Sequence, residues 1–343
     1  MFPNDPPGKA PAIMTTHIPP NLSAVTATTT PDLVAYLPCP IKVPFEQAIH
    51  EYLLSQGSPE YALQIEGNAN KNEADYEALI GAERADDLPS LLITPGVNQL
   101  FGSQFLTQVL DGGQYADAAG YPKDIARPEN VLRDPLGYAT VLAANVTLVV
   151  VDHSQLGSRP VPQCWEDLLA PDFAGAVLMR GNGKTYCETT LLAWYQLFGQ
   201  AGLAEMGRSV LEGCHPAQMA KVAGTGQAGG AAVYVMPYFF ARNIRHQDNV
   251  SLVWPDEGVI ASPVTLLAKR AITPGLRQFA EWLAGATMAR LFSRAGLPTP
   301  HPEVSSGLPV GTRYLWPGWE RARSTDLSAE LSEAQAAFAF GHR

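Results

Sequence analysis

Charge and cysteine are both scarce in this chain. Only 16% of its 343 residues are Asp, Glu, Lys or Arg, against about 25% in an average globular protein. The 23 basic residues form no cluster, and with 33 acidic ones they leave a net charge of −10. Nucleic-acid binders draw affinity from neutralising phosphates, so this balance argues against a nucleic-acid partner. Cys39, Cys164, Cys187 and Cys214 are too few for a disulfide scaffold. None forms a CxxC pair and their spacing matches no zinc pattern, so they read as reduced, mostly buried thiols. No metal site and no cofactor is expected. No apolar run reaches the roughly 18 residues that span a bilayer. The catalytic signatures GxSxG, HExxH and GxGxxG are also missing, and no internal repeat is visible.

Apolar residues and turn formers are what the chain has. Hydrophobic residues make up 46%, and there are 30 Gly and 29 Pro. This composition suits a compact, loop-rich globule with a length prior near two domains. Residues 1–30 are Pro- and Thr-rich without a continuous apolar stretch, which reads as a flexible leader rather than a secretory signal.

From Asp32 onward a strand, loop, helix rhythm sets in. LVAYL (33–37), ALQIEG (62–67) and SLLIT (90–94) read as strands. Phe45, Ile49 and Leu53 space a helix that Pro44 opens and Gly57 stops, and 72–82 is read as another. The stretch 138–151, YATVLAANVTLVVV, is too short for a membrane helix and its β-branched content predicts one buried strand or two. The rhythm then restarts. AVLMR (176–180), AAVYVM (231–236), SLVW (251–254) and PVTLLAK (263–269) read as strands; 188–199, 202–213, 275–295 and 325–340 read as helices. Strands alternating with helices predict parallel sheet with right-handed crossovers. The expected fold is therefore α/β in two lobes with a cleft between them, each lobe a mixed sheet flanked by helices. Residues 31–145 plus 263–312 would form lobe 1, 146–262 lobe 2, and 313–343 a tail with a short docking helix.

Ligands of open α/β sheets sit beyond the carboxyl ends of the strands. The neutral hydrogen-bonding residues at those predicted ends are Asn68, Asn70, Thr94, Asn98, Asn182, Thr185, Tyr186 and Tyr238. Together they have the composition of a cleft that grips by hydrogen bonds. The loop Gly181-Asn182-Gly183-Lys184-Thr185 follows a strand and opens a helix, so its backbone N–H groups, with Arg180 and Lys184, are expected to favour an anion. It is not a P-loop, which needs Gly where Leu178 stands. Asp152-His153 reads as a solvated turn. Cys214-His215 could support nucleophilic catalysis only if the two met in space, which sequence neighbours rarely do. Asp256-Glu257 reads as either a solvated turn or a cation contact.

From residue 160 onward the chain resembles the type 2 solute-binding proteins of ABC transporters, especially the ferric-iron-type branch. RPVPQCWEDLLAPDFAGAVLMR carries the most specific likeness, followed in order by VWPDEGVIASPVTLLAK and LRQFAEWLAGATMARLFSRAGLPTP. The resemblance implies a non-catalytic protein that closes two hinged lobes over a small solute and delivers it to a permease, as a monomer. Ferric-binding members carry adjacent tyrosines, and here the matching position reads Tyr238-Phe239-Phe240. A hard ferric ion wants oxyanion ligands, so iron is not the expected solute. The family is normally periplasmic; with neither signal nor lipobox cysteine, the chain as written reads as cytoplasmic. Two other readings stay open: a cytoplasmic enzyme on the same scaffold, with Cys39 or Lys184 as reactive group, and a ligand sensor.

Overall fold

The computed structural model describes residues 30–67, 79, 84–96, 106–121, 127–183 and 185–342. The segment read as a helix over 72–82 lies outside them, apart from Leu79, as does the leader up to residue 29.

Among the described residues, eleven strands form one continuous sheet. β1 (Leu33–Leu37), β2 (Leu63–Gly67) and β3 (Leu91–Pro95) run parallel in the order β2-β1-β3. Two long strands follow in space, β10 (Val259–Ala268) beside β3 and β4 (Thr140–Asp152) beside β10, both pairings antiparallel. β8 (Val233–Pro237) pairs antiparallel with β4, and β5 (Val177–Asn182) runs parallel to β8. β6 (Thr185–Tyr186), β7 (Val210–Cys214), β9 (Val250–Val253) and β11 (Tyr314–Leu315) complete the sheet. The apolar stretch around 138–151 is thus a single strand, all thirteen residues of which are buried. Strands covered on both faces read as continuous apolar runs, as this one does.

Local sequence explains most helix boundaries. Helix Lys42–Ser55 buries Phe45 and Ile49, one turn apart. The Thr273 hydroxyl accepts the N–H of Leu276 and Pro274 fills the first turn, so helix Pro274–Leu283 starts there. The single helix expected over 275–295 is broken: Ala284 and Gly285 separate it from helix Ala286–Arg294. Gly285 takes the N-cap of the second helix with extended backbone, ψ 174°. The helix expected over 202–213 stops at Ser209 and continues as β7, which pairs parallel with β5. Sheet pairing there overrides a pattern that suits a helix.

The tail runs back over both halves of the sheet. β11 pairs with Val259 and Ile260 of β10. Trp316 and Trp319 donate their indole N–H groups to the carbonyls of Val131 and Leu132. Arg323 bonds both carboxylate oxygens of Asp111 and lies 3.0 Å from the buried carboxylate of Asp134. Asp326 caps helix Leu327–Gly341, which packs along helix Glu188–Ser209 at the opposite half. The two helices approach so closely that a Cβ at Gly341 would meet the carbonyl of Ala204.

Candidate functional site

The ladder register places the strand ends. Pro95, the last residue of β3, lies across from Val264 on β10, and Val264 in turn lies across from Ala143 on β4. Pro237, the last residue of β8, lies across from Thr147 on β4. β3 and β8 therefore end facing each other along the long strand pair. Four residue steps along β4 separate the levels of their ends, about 13 Å at 3.3–3.4 Å per step. Open α/β sheets bind ligands outside carboxyl strand ends such as these.

The two faces of the strand pair differ at this gap. On one face a single apolar cluster crosses it without interruption, through Leu92, Ala144, Val146, Leu148, Met236 and Ala261, with Trp319 of the tail. On the other face there are two separate cores. One holds Leu33, Phe45, Ala143, Val264 and Phe279; the other holds Val149, Val151, Trp194 and Ile260. Side chains alternate along a strand, so Asn145 and Thr147 stand on the face of Val149 and Val151, between the two cores.

Three elements meet there. The N–H of Gly96, just past β3, donates to the carbonyl of Pro263 at 2.6 Å. A Cβ at Gly96 would stand 2.6 Å from Ser262 Oγ and 3.8 Å from Thr189 Oγ1. Its φ of +81° also favours glycine. Thr189 belongs to the first turn of helix Glu188–Ser209, whose N-cap, Cys187, makes no side-chain capping bond. A helix start gathers partial positive charge and points backbone N–H groups outward. Asn145 is the direct cross-strand partner of Ser262. Partners in an antiparallel pair share a face, with Cβ atoms roughly 4.5–5.5 Å apart. Asn145 is 7% exposed, and its Oδ1 accepts no hydrogen bond among the described residues.

The residues expected at the site are distributed unevenly. Asn68, Asn70, Asn98 and Lys184 lie outside the described residues. Thr94 is buried opposite Thr265, two residues before Gly96. Arg180 is half-buried and its carbonyl accepts the N–H of Cys187 at 3.0 Å. Asn182 and Thr185 are exposed, and the Thr185 hydroxyl donates to the carbonyl of Asn182 at 3.0 Å. The loop expected to cradle an anion with its backbone is instead a hairpin pinned to β7: the N–H of Gly183 donates to the carbonyl of Gly213 at 2.9 Å. Its amide at Gly183 is spent on sheet pairing. Tyr186 also departs from expectation. Its hydroxyl pairs with His342 Nε2 at 2.6 Å and its ring packs on Phe338, so it anchors the tail helix.

Tyr238 directly follows β8. Its ring meets Trp254 edge-on at 5.2 Å, with the Arg242 guanidinium 5.8 Å from its centroid. Phe239 beside it is buried against the core of Leu142 and Leu297. The other singled-out residues have local work. Asp152 is fully buried, accepting from the N–H of Ser154 and of Gly224. The ring of His215 caps the helix Pro216–Val222 by accepting from Ala217 N–H. Glu257 takes the N–H groups of Trp165 and Glu166 at 3.0 and 3.3 Å, so it caps a turn. The Cys214 thiol is pushed up to about 11 by burial and by Glu212, and it donates to that carboxylate at 3.4 Å.

Sequence reasoning passed over Thr189, Ser262 and Asn145. Asn145 did carry a signal, as the one amide within an apolar run. Two open cavities, about 520 and about 450 Å³, lie elsewhere; they are lined by Arg133, Trp319 and Arg321 and by Asp117, Lys269 and His301. Neither includes a residue of the gap, whose strand register and polar lining make it the better candidate.

No curated protein matches the sequence. The model of the family described as bacterial extracellular solute-binding protein matches residues 86–325. Similar solved structures include the periplasmic binding protein AfuA from Actinobacillus pleuropneumoniae, with fructose-6-phosphate bound. It is 12% identical, with 89% of this chain and 97% of that one covered, and a TM-score of 0.62. Apo ferric ion-binding protein A of Pasteurella haemolytica is 12% identical over 89% and 96%, TM-score 0.61. The ferric binding protein of Campylobacter jejuni is 10% identical over 89% and 98%, TM-score 0.62. With the family model matched over residues 86–325 and these two-lobed structures aligned over 89% of it, the chain belongs to the bacterial extracellular solute-binding proteins and has the type 2 periplasmic-binding fold, as the resemblance in its second half implied.

Proposed function

We propose that this protein holds a small solute with an anionic or hydrogen-bond-accepting group in the gap between its lobes, and delivers it unchanged to an ABC permease. The observation that carries this is the convergence of Thr189, at a helix start, with Ser262 between two separate apolar cores. Helix starts and hydroxyls donate, so they complement an acceptor. On this reading residues 31–145 with 263–312 make one lobe and 146–262 the other, and closure bends β4 and β10 around Ala143–Thr147 and Ile260–Val264. The protein acts as a monomer and has no nucleic-acid partner.

Binding without catalysis fits the nucleophiles and bases at hand. The Cys214 thiol is held protonated beside a carboxylate, His215 is committed to a helix cap, and His153 Nε2 pairs with Ser251 Oγ at 2.7 Å. Iron fits poorly: only Tyr238 offers a phenol oxygen at the family's tyrosine position, and Phe239 and Phe240 offer none.

The test is calorimetric titration of wild type, Thr189→Val and Ser262→Ala with whatever anionic solute mass spectrometry finds in gently purified protein. One lost charge-assisted contact costs about 1.5–3 kcal/mol, a ten- to hundredfold weaker Kd. Unchanged affinity in both variants, or stoichiometric iron by elemental analysis, would overturn the proposal.

A further inference from the structure

Among the described residues, the side-chain oxygen of Asn145 stands in this gap without a hydrogen-bond partner. Its residue is more than nine-tenths buried, in a strand that is otherwise Val, Leu, Ala and Thr apart from the terminal Asp152. A buried amide oxygen without a hydrogen bond is costly, and native structures hold few of them. An apolar residue of similar size would not carry that cost, so an amide at this position calls for a functional account. Its register position supplies one. It stands directly across from Ser262, whose hydroxyl lies with that of Thr189 within 4 Å of the point a Gly96 Cβ would occupy. Thr189 and the helix start offer donors; Asn145 Oδ1 offers an acceptor on the same face of the same strand pair.

We infer that Asn145 is a specificity-determining residue that reads a hydrogen-bond donor on the solute, so that the solute is an organic anion bearing a hydroxyl close to its anionic group rather than a bare inorganic oxyanion. This rests on the proposal that the gap binds an anionic solute. An inorganic oxyanion fills the donors of the helix start but leaves Asn145 Oδ1 desolvated and unpaired. A hydroxylated anion satisfies both. Sites built to bond a substrate hydroxyl reject the analogue without it far more strongly than apolar pockets reject a change of size, because a buried polar group is then left unpaired.

The experiment uses the full chain freed of bound solute by partial unfolding and refolding, with calorimetry against inorganic phosphate and two matched pairs: glycerol 3-phosphate with propyl phosphate, and lactate with propionate. The expected result is that in at least one pair the hydroxylated member binds ten times or more tighter than its deoxy partner and than inorganic phosphate. Asn145→Leu then binds the deoxy member as before and shrinks the preference to within about twofold. Its melting temperature stays level or rises, because an unsatisfied acceptor is gone. Equal binding of hydroxylated and deoxy members by wild type, or a preference that survives Asn145→Leu, overturns the inference while leaving the anionic gap in place. So does a clear fall in the melting temperature of Asn145→Leu, which would make the amide a structural partner. Binding of none of the five probes overturns the anionic reading itself, and the inference with it.

Discussion

The two faces of the β4–β10 pair have opposite constructions. The reverse face is one apolar cluster that runs from Leu92 through Val146 and Leu148 to Met236 and takes in Trp319 of the tail. The front face divides into two cores with Asn145, Thr147 and Ser262 between them. A continuous core resists separation of what it covers, because opening it exposes apolar area at about 25 cal/mol per Å². A divided core opens without that cost. The same two strands therefore hold the halves together on one side and, on the other, carry the gap proposed for the solute. The tail reinforces the closed side: its tryptophans and Arg323 hold the first half, and helix Leu327–Gly341 lies on the second.

The contrast can be broken most strongly at Arg323. Its guanidinium serves Asp111 and the fully buried carboxylate of Asp134. Arg323→Met should cost about 3–5 kcal/mol, because the buried carboxylate of Asp134 loses its ion-pair partner and keeps the backbone N–H groups of Leu136, Tyr138 and Ala139. Urea unfolding measures it, and a loss under 1 kcal/mol would mean the tail is not a structural part of the reverse face. Leu148→Ala tests the apolar cluster itself and should cost about 2–5 kcal/mol by the same measurement. Ser262→Ala, on the front face, should change stability by no more than about 0.5 kcal/mol while weakening solute binding. Equal stability losses at Leu148 and Ser262 would erase the distinction between the faces.

A smaller effect concerns acid. Burial lowers the pKa of His301 below its ordinary 6.5, the first cause, and Arg290 and Arg127 add to it. The ring accepts the N–H of Glu303 on Nδ1, a bond that needs it neutral. A depressed pKa in the folded state contributes stability that is fully present above about 6.5 and lost as pH falls through the folded value. Urea midpoints should therefore fall between pH 7 and pH 5, and His301→Phe should flatten part of that slope. A slope identical in wild type and variant would remove His301 from the account. The smallest expected effect is on thiol chemistry. At pH 8.5 the Cys214 thiol, pushed up to about 11, should alkylate more slowly than Cys187. Peptide mapping by mass spectrometry reads the two rates, and faster modification at Cys214 would contradict its burial beside Glu212.

Strand content and the two-fold restart of the strand, loop, helix rhythm were legible because burial on both faces demands unbroken apolar runs, as in 33–37, 140–152 and 263–268. β7 was not legible, since Val210, Leu211 and Cys214 suit a helix as readily as a strand and only pairing with β5 decides between them. The members of the candidate gap were not legible. Neutral polar residues at strand ends pointed to a hydrogen-bonding gap, yet Tyr186 left it for His342, 156 residues further along. Thr189, Ser262 and Gly96 converge from three separate elements, and no local pattern encodes that meeting.

The sequence by itself determined the class of fold and the family, because period, turn chemistry and composition act over neighbouring residues. Tertiary structure decided which polar side chains share a face, where β3 and β8 end against the long strands, and that the tail closes one side. Those outcomes depend on register between segments far apart in the chain, and one residue of slip would turn Asn145 from the polar gap into the continuous core.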